Sequence, residues 1–124
     1  MSHRNSDRIV VNPFIQTGKA IVKGTRITVN LIIDLLLNNW SQKQIIENYP
    51  QLVREDIIAA IEYKQYQLIS LTGKILTKWN EETIDEFLRK TKNGSLPNAE
   101  NDAIDLKQIT KEKELLLEKK KDYR

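Results

Sequence analysis

The chain has no cysteine, one histidine, four glycines and three prolines in 124 residues. Lack of cysteine excludes disulfides and thiolate metal sites and fits a reducing compartment. The single histidine, His3, stands in a polar terminus with no second ligand beside it and reads as a solvated side chain. No His-Glu-x-x-His pattern is present to hold zinc. Long apolar runs are missing too: the stretch from Ile32 to Leu37 is broken at Asp34, and a membrane helix needs roughly 18 apolar residues. The start, Met1-Ser2-His3-Arg4-Asn5, lacks the apolar core of a signal peptide. These absences point to a cytoplasmic chain without a membrane segment, long enough for one small domain plus an appendage.

Catalysis finds no footing either. The carboxylate pairs Glu55-Asp56, Glu81-Glu82 and Asp85-Glu86 are sequence neighbours in helical stretches. Neighbours on a helix diverge by about 100°, so they do not converge on a metal as nuclease carboxylates must. The expectation is a chain that is not an enzyme, with no metal and no cofactor.

What the sequence does have is an uneven charge. Of the formal net charge of +3, residues 1–30 contribute five basic side chains (Arg4, Arg8, Lys19, Lys23, Arg26) against one acidic, Asp7. The rest of the chain is close to neutral. A basic patch beside a neutral remainder hints at a polyanionic partner, although solubilising charge on a half-exposed hairpin gives the same composition.

Much of that charge lies in "GKAIVKGTRITV", residues 18–29. A Walker phosphate loop requires G-x-x-x-x-G-K-[ST]. Here lysine precedes glycine in Lys23-Gly24-Thr25, the interval from Gly18 is one residue too long, and the residues between are strand formers. A nucleotide loop is excluded. The runs Arg8-Ile9-Val10-Val11 and Ala20-Ile21-Val22, bounded by Asn12-Pro13, Thr17-Gly18 and Lys23-Gly24, predict strands pairing as a hairpin or small sheet, with Gly24 supplying positive φ for a tight turn.

From Thr28 the apolar period becomes helical: Val29, Ile32, Ile33, Leu36, Leu37 and Trp40, with Thr28 as N-cap. Leu31 and Leu35 widen the stripe beyond what one small core needs, so Leu31, Leu35 and Trp40 are candidates for a homodimer interface. Ser41-x-x-Gln44 is a capping box for a second helix, with Trp40 and Ile45 at the spacing of a hydrophobic staple, and Pro50 ends that segment. A third helix is expected from near Arg54 through Ile57, Ile58 and Ile61 towards Leu68 and Ile69. Two short helices joined by a tight turn outline a helix-turn-helix.

The stretch "RIVVNPFIQTGKAIVKGTRITVNLIIDLLLNNWSQKQIIENYPQLVREDIIAAIEY" resembles the domain-of-unknown-function family four-three-three, whose members are commonly VapB-like antitoxins. The resemblance rests on the hairpin with Gly18-Lys19 and Lys23-Gly24-Thr25-Arg26, then Tyr49-Pro50 and Glu55-Asp56-Ile57, and covers about residues 8 to 64. It implies a dimeric, winged-helix-like domain paired with a PIN-like ribonuclease toxin. One departure is Val53, where the family usually has a threonine cap, which predicts a frayed or shifted start to the third helix.

On a helical wheel Ile57, Ile58, Ile61 and Leu68 mark the buried side of that helix. Glu55, Asp56, Ala59, Glu62, Tyr63, Tyr66 and Gln67 fall on the opposite side or its flanks. Three carboxylates facing phosphates make a poor groove reader. DNA contact is therefore expected from the hairpin and N-terminal arm, through Arg4, Arg8, Lys19, Lys23 and Arg26, with operator DNA as the partner. For Arg26 an ion pair with Asp34 or Asp56 is an equal alternative.

Beyond about Thr72 the chain is charge-rich, with a helix expected after a cap at Asn80 and ending near Asn93-Gly94, and a last helix from about Asp102 to Lys120. Each has a thin apolar stripe with no evident partner in the chain, as in segments that order by docking on another protein; the alternative is a solvated tail or a helical hairpin folding back on the domain. The organisation expected is thus mainly α with a small N-terminal β-hairpin: a winged-helix-like domain over residues 1–72 and an extended helical arm over 73–124. The resemblance implies that the arm neutralises a toxin whose carboxylates hold Mg²⁺, by cationic insertion or by blocking its substrate groove. No family motif reaches the arm; from its own residues Arg89 and Lys90, beside Phe87 and Leu88, are the preferred contacts, with Trp79 as a hydrophobic anchor and Lys74 and Lys78 as alternatives. The competing reading is a stand-alone dimeric DNA-binding transcriptional regulator.

Overall fold

The computed structural model describes residues 7–121. Strands β1 (Ile9–Val11) and β2 (Ala20–Val22) pair antiparallel, with Val10 opposite Ile21, as β-branched runs bounded by turn residues should. A single 3-10 turn, Gln16–Gly18, lies in the connection between them. Gly24 has φ +83°, the left-handed conformation its turn requires. The chain then returns beside β2, where Val22 N–H donates to the Ile27 carbonyl at 2.9 Å and Ile21 bridges Thr28.

Five α-helices follow among the described residues: α1 (Val29–Leu37), α2 (Gln42–Asn48), α3 (Arg54–Lys78), α4 (Ile84–Lys92) and α5 (Glu100–Lys121). Local chemistry sets most of their starts. The Thr28 hydroxyl accepts from Leu31 N–H at 3.0 Å. Ser41 and Gln44 form both bonds of the capping box, at 3.1 and 2.8 Å. Val53 offers no side-chain cap, yet α3 is not frayed: three residues on, Asp56 Oδ2 reaches back to accept Val53 N–H at 3.0 Å. The reciprocal half of a capping box replaces the missing threonine.

The chain divides into two compact units. One comprises the residues up to Gln65 together with those from Leu115 onward; the other is Tyr66–Glu114. The first buries Ile21, Ile32, Ile33, Leu36, Ile57 and Ile61, each at most 2% exposed. Leu116 of α5 is fully buried, and Lys120 pairs with Glu62 of α3 at 3.0 Å. The other unit has its own core: Phe87 of α4 packs with Ala99, Ala103 and Leu106, bordered by Ile75, Leu76, Trp79, Ile84, Leu88 and Leu96.

This second core overturns the expectation that the later helices lack a partner in the chain. The α5 stripe is thin because Ala99 and Ala103 lie against Phe87 of α4, and small residues let helices approach closely without registering as apolar mass in the sequence. Helix α3 also runs unbroken through Thr72 and Gly73 to Lys78, beyond the Leu68–Ile69 region that the sequence pattern marks as its end. The Thr72 hydroxyl is absorbed by the Leu68 carbonyl at 2.9 Å within the helix. Asn80 does not cap α4. Its φ of +55° places it past the end of α3, and Thr83 caps instead, accepting Glu86 N–H at 3.2 Å.

Candidate nucleic-acid interface

The hairpin concentrates cations where no carboxylate answers them. Lys19, at the head of β2, and Lys23 and Arg26, in the turn after it, are exposed, and none is ion-paired among the described residues. No Asp or Glu occurs from Arg8 to Ile33. Arg26 therefore pairs with neither Asp34 nor Asp56. It is Arg8 that meets Asp56, Nη1 to Oδ1 at 3.0 Å, while the Arg8 carbonyl accepts Lys23 N–H at 2.7 Å. Asp56, 7% exposed, thus satisfies one oxygen on the helix start and the other on the hairpin. Arg8 positions the hairpin against α3, which leaves the remaining hairpin cations to face solvent. Arg4 lies outside the described residues.

The faces of α3 also differ from the helical-wheel expectation. Asp56 and Ala59 are buried rather than outward-facing, because α3 is covered on more than one side. Glu62 is engaged by Lys120. The repulsion anticipated from three carboxylates is reduced, with two of them neutralised inside the unit.

The family model described as "Protein of unknown function (DUF433)" matches residues 9–63. Over that stretch the chain is similar to the DUF433 family. No curated protein and no solved structure matches the chain. The DUF433 stretch contains the hairpin, α1, α2 and the first part of α3, and with them Lys19, Lys23 and Arg26.

Within the DUF433 stretch, Leu31, Leu35 and Trp40 are half-buried, so the protomer's own packing absorbs part of the wide α1 stripe. Trp40 lines a hollow of about 710 Å³ with Ser41, Lys43, Ile46 and Lys119. The connection between the strands is a built loop. Phe14 N–H donates to Asn12 Oδ1 at 2.9 Å, Ile15 N–H to the Asn12 carbonyl at 3.0 Å, and Gln16 Nε2 to the Arg26 carbonyl at 2.9 Å. Gln16 and Thr17 hold φ of +51° and +55°, costing roughly 1–2 kcal/mol each for residues other than glycine. The loop carries Phe14 at 93% exposure. Phe14 is not among the candidates read from the sequence; its place in a β-branched, turn-punctuated stretch makes it look like hairpin packing.

The candidates outside the DUF433 stretch behave differently. Lys78 Nζ and Trp79 Nε1 both donate to Asp102 Oδ2 at 2.8 Å, which holds the Asp102 carboxyl below its usual range, Lys78 contributing most. Lys90 pairs with Glu81 at 3.0 Å. Arg89 pairs with Glu86, lowering the pKa of that carboxyl and raising that of the guanidinium. Phe87 is fully buried with Trp79 tilted against it, ring centroids 6.3 Å apart, and Leu88 is half-buried. Lys74 alone of these cations is exposed with no ion pair among the described residues. Asp102, which gathers two of the candidates, carries no local signal, since its donors lie more than twenty positions upstream. No group of three or more His, Cys, Asp or Glu side chains suited to a metal, and no helix long and apolar enough to cross a membrane, is found among the described residues.

Proposed function

We propose that the chain is an antitoxin-type regulator: its DUF433 unit binds operator DNA, and its second unit receives a PIN-like ribonuclease toxin. The observation that carries the DNA side is the carboxylate-free hairpin, whose Lys19, Lys23 and Arg26 are exposed and unpaired among the described residues. Unpaired cations on a short rigid hairpin can replace condensed counterions along a phosphate backbone. Helices α2 and α3, joined by Tyr49–Val53, serve in this reading as the helix-turn-helix, and a homodimer doubles the basic surface. The toxin side draws support from the resemblance and from large apolar side chains left outside the second core: Tyr66 at 76% and Ile69 at 61% exposure, one helical turn apart on α3. These replace Trp79 as the anchor, because Trp79 is half-buried against Phe87 and donates to Asp102.

Two measurements test this. Binding of the DNA upstream of the gene, followed by fluorescence anisotropy, weakens as salt rises. Neutralising Lys19, Lys23 and Arg26 together to Gln lowers the slope of log affinity against log salt by about 2 to 3. An unchanged slope removes the hairpin from the interface. Co-production with the product of the adjacent reading frame yields a stable complex that Y66E/I69E disrupts. DNA binding without any such complex favours the second reading, a stand-alone dimeric DNA-binding regulator, to which the self-sufficient core around Phe87 lends weight.

A further inference from the structure

We infer that Phe14 is a base-stacking wedge, entering the stack of duplex DNA beside the phosphate contacts of the hairpin; this rests on the DNA-binding reading above. The loop is rigid by construction. Asn12 accepts two backbone N–H groups, from Phe14 and Ile15, and Gln16 ties the loop to the backbone of Arg26. Gly18 lies against Pro13, its missing Cβ 3.8 Å from the Pro13 Cα, which brings Lys19 beside the Pro13-Phe14 corner. An aromatic ring 93% exposed on such a corner has no packing role in the protomer. Left-handed conformations at Gln16, Thr17 and Gly18 turn the chain at this corner. Charge selects the occupant: the segment 8–33 that carries the ring holds Lys19, Lys23 and Arg26 exposed and unpaired among the described residues and contains no carboxylate of its own. Cations to hold phosphates and an apolar wedge to part a base step are the two components by which minor-groove proteins bend DNA. Pyrimidine–purine steps, which unstack at least cost, are the preferred points of entry.

The test uses the full chain and an A·T-rich duplex carrying 2-aminopurine at TA steps. Binding of the wild-type chain brightens 2-aminopurine, because the base loses its stacked neighbour. F14A keeps its melting temperature, as a solvent-exposed ring predicts, binds about 5- to 100-fold more weakly, and gives no brightening. F14W restores both affinity and brightening. If F14A brightens the probe as the wild type does, the wedge is overturned. It is equally overturned if the wild type binds with a steep salt dependence but without brightening, and in that case the phosphate reading stands. Loss of self-association in F14A without a change in DNA affinity assigns the ring to a contact between copies instead. Absence of any salt-dependent binding removes both the wedge and the reading on which it rests.

Discussion

The two units use the same charged residue types in opposite ways. In the second unit Lys78, Arg89 and Lys90 each end on a carboxylate of that unit: Asp102, Glu86 and Glu81. In the hairpin only Arg8 does so, through Asp56, while Lys19, Lys23 and Arg26 stay uncommitted among the described residues. A count of basic residues cannot separate these cases, since both regions carry several. Pairing can. A cation already bonded to its neighbour must break that bond before it serves a partner, whereas an unpaired one loses only water. This contrast is why the nucleic-acid side of the proposal has firmer physical support than cationic insertion into a toxin.

Removing Phe87 breaks the contrast most sharply. F87A is expected to cost about 3–5 kcal/mol in the second unit. Hydrogen exchange should report loss of protection over residues 66–114, while amides of α1 and α2 keep theirs. Equal loss in both would show that the units do not melt separately. Next in size, D56A leaves Val53 N–H and the Arg8 guanidinium without their acceptor and should cost about 1–3 kcal/mol in the first unit. A double-mutant cycle with R8Q isolates the hairpin bond from the cap, and a coupling near zero would remove Arg8 from its positioning role. The smallest effect sharpens the comparison by pH. The Asp102 carboxyl titrates lower in the folded chain than in the unfolded one. Its contribution is therefore fully present above the ordinary carboxylate pKa of about 3.9 and is lost as pH falls through the lowered folded value. With its partner Lys78 largely exposed, that contribution is at most about 1 kcal/mol. D102N should flatten the acid limb of the second unit's melting curve while leaving the first unit's unchanged; an unaltered limb would show that Asp102 contributes nothing.

Much of the first unit is legible in the sequence because its determinants are local. The Thr28 cap, the Ser41/Gln44 box and the Gly24 turn involve residues within a few positions of each other, and β1 and β2 are consecutive strands whose closest pair is Val11 and Ala20. Contacts across long separations leave no trace. Arg8 and Asp56 are 48 positions apart, and nothing around either names the other. The second core escapes a periodicity search because two of its members are alanines, which do not count as anchors. Asn80 reads as a cap because asparagine is favoured both at a helix start and in the left-handed residue that ends one; only φ separates the two. For the candidate site, Lys19, Lys23 and Arg26 are visible as charge, whereas Phe14 becomes visible only once its exposure is known.

The return of α5 into the first unit carries a consequence for biosynthesis. A ribosome delivers the hairpin and the first two helices early, yet Leu116 and Lys120, which belong to that same unit, are made more than 50 residues after Glu62. The first unit therefore waits, incompletely sealed, until the end of α5 has been made. A proteolytic nick close to Glu114 would be felt in the unit that holds the hairpin.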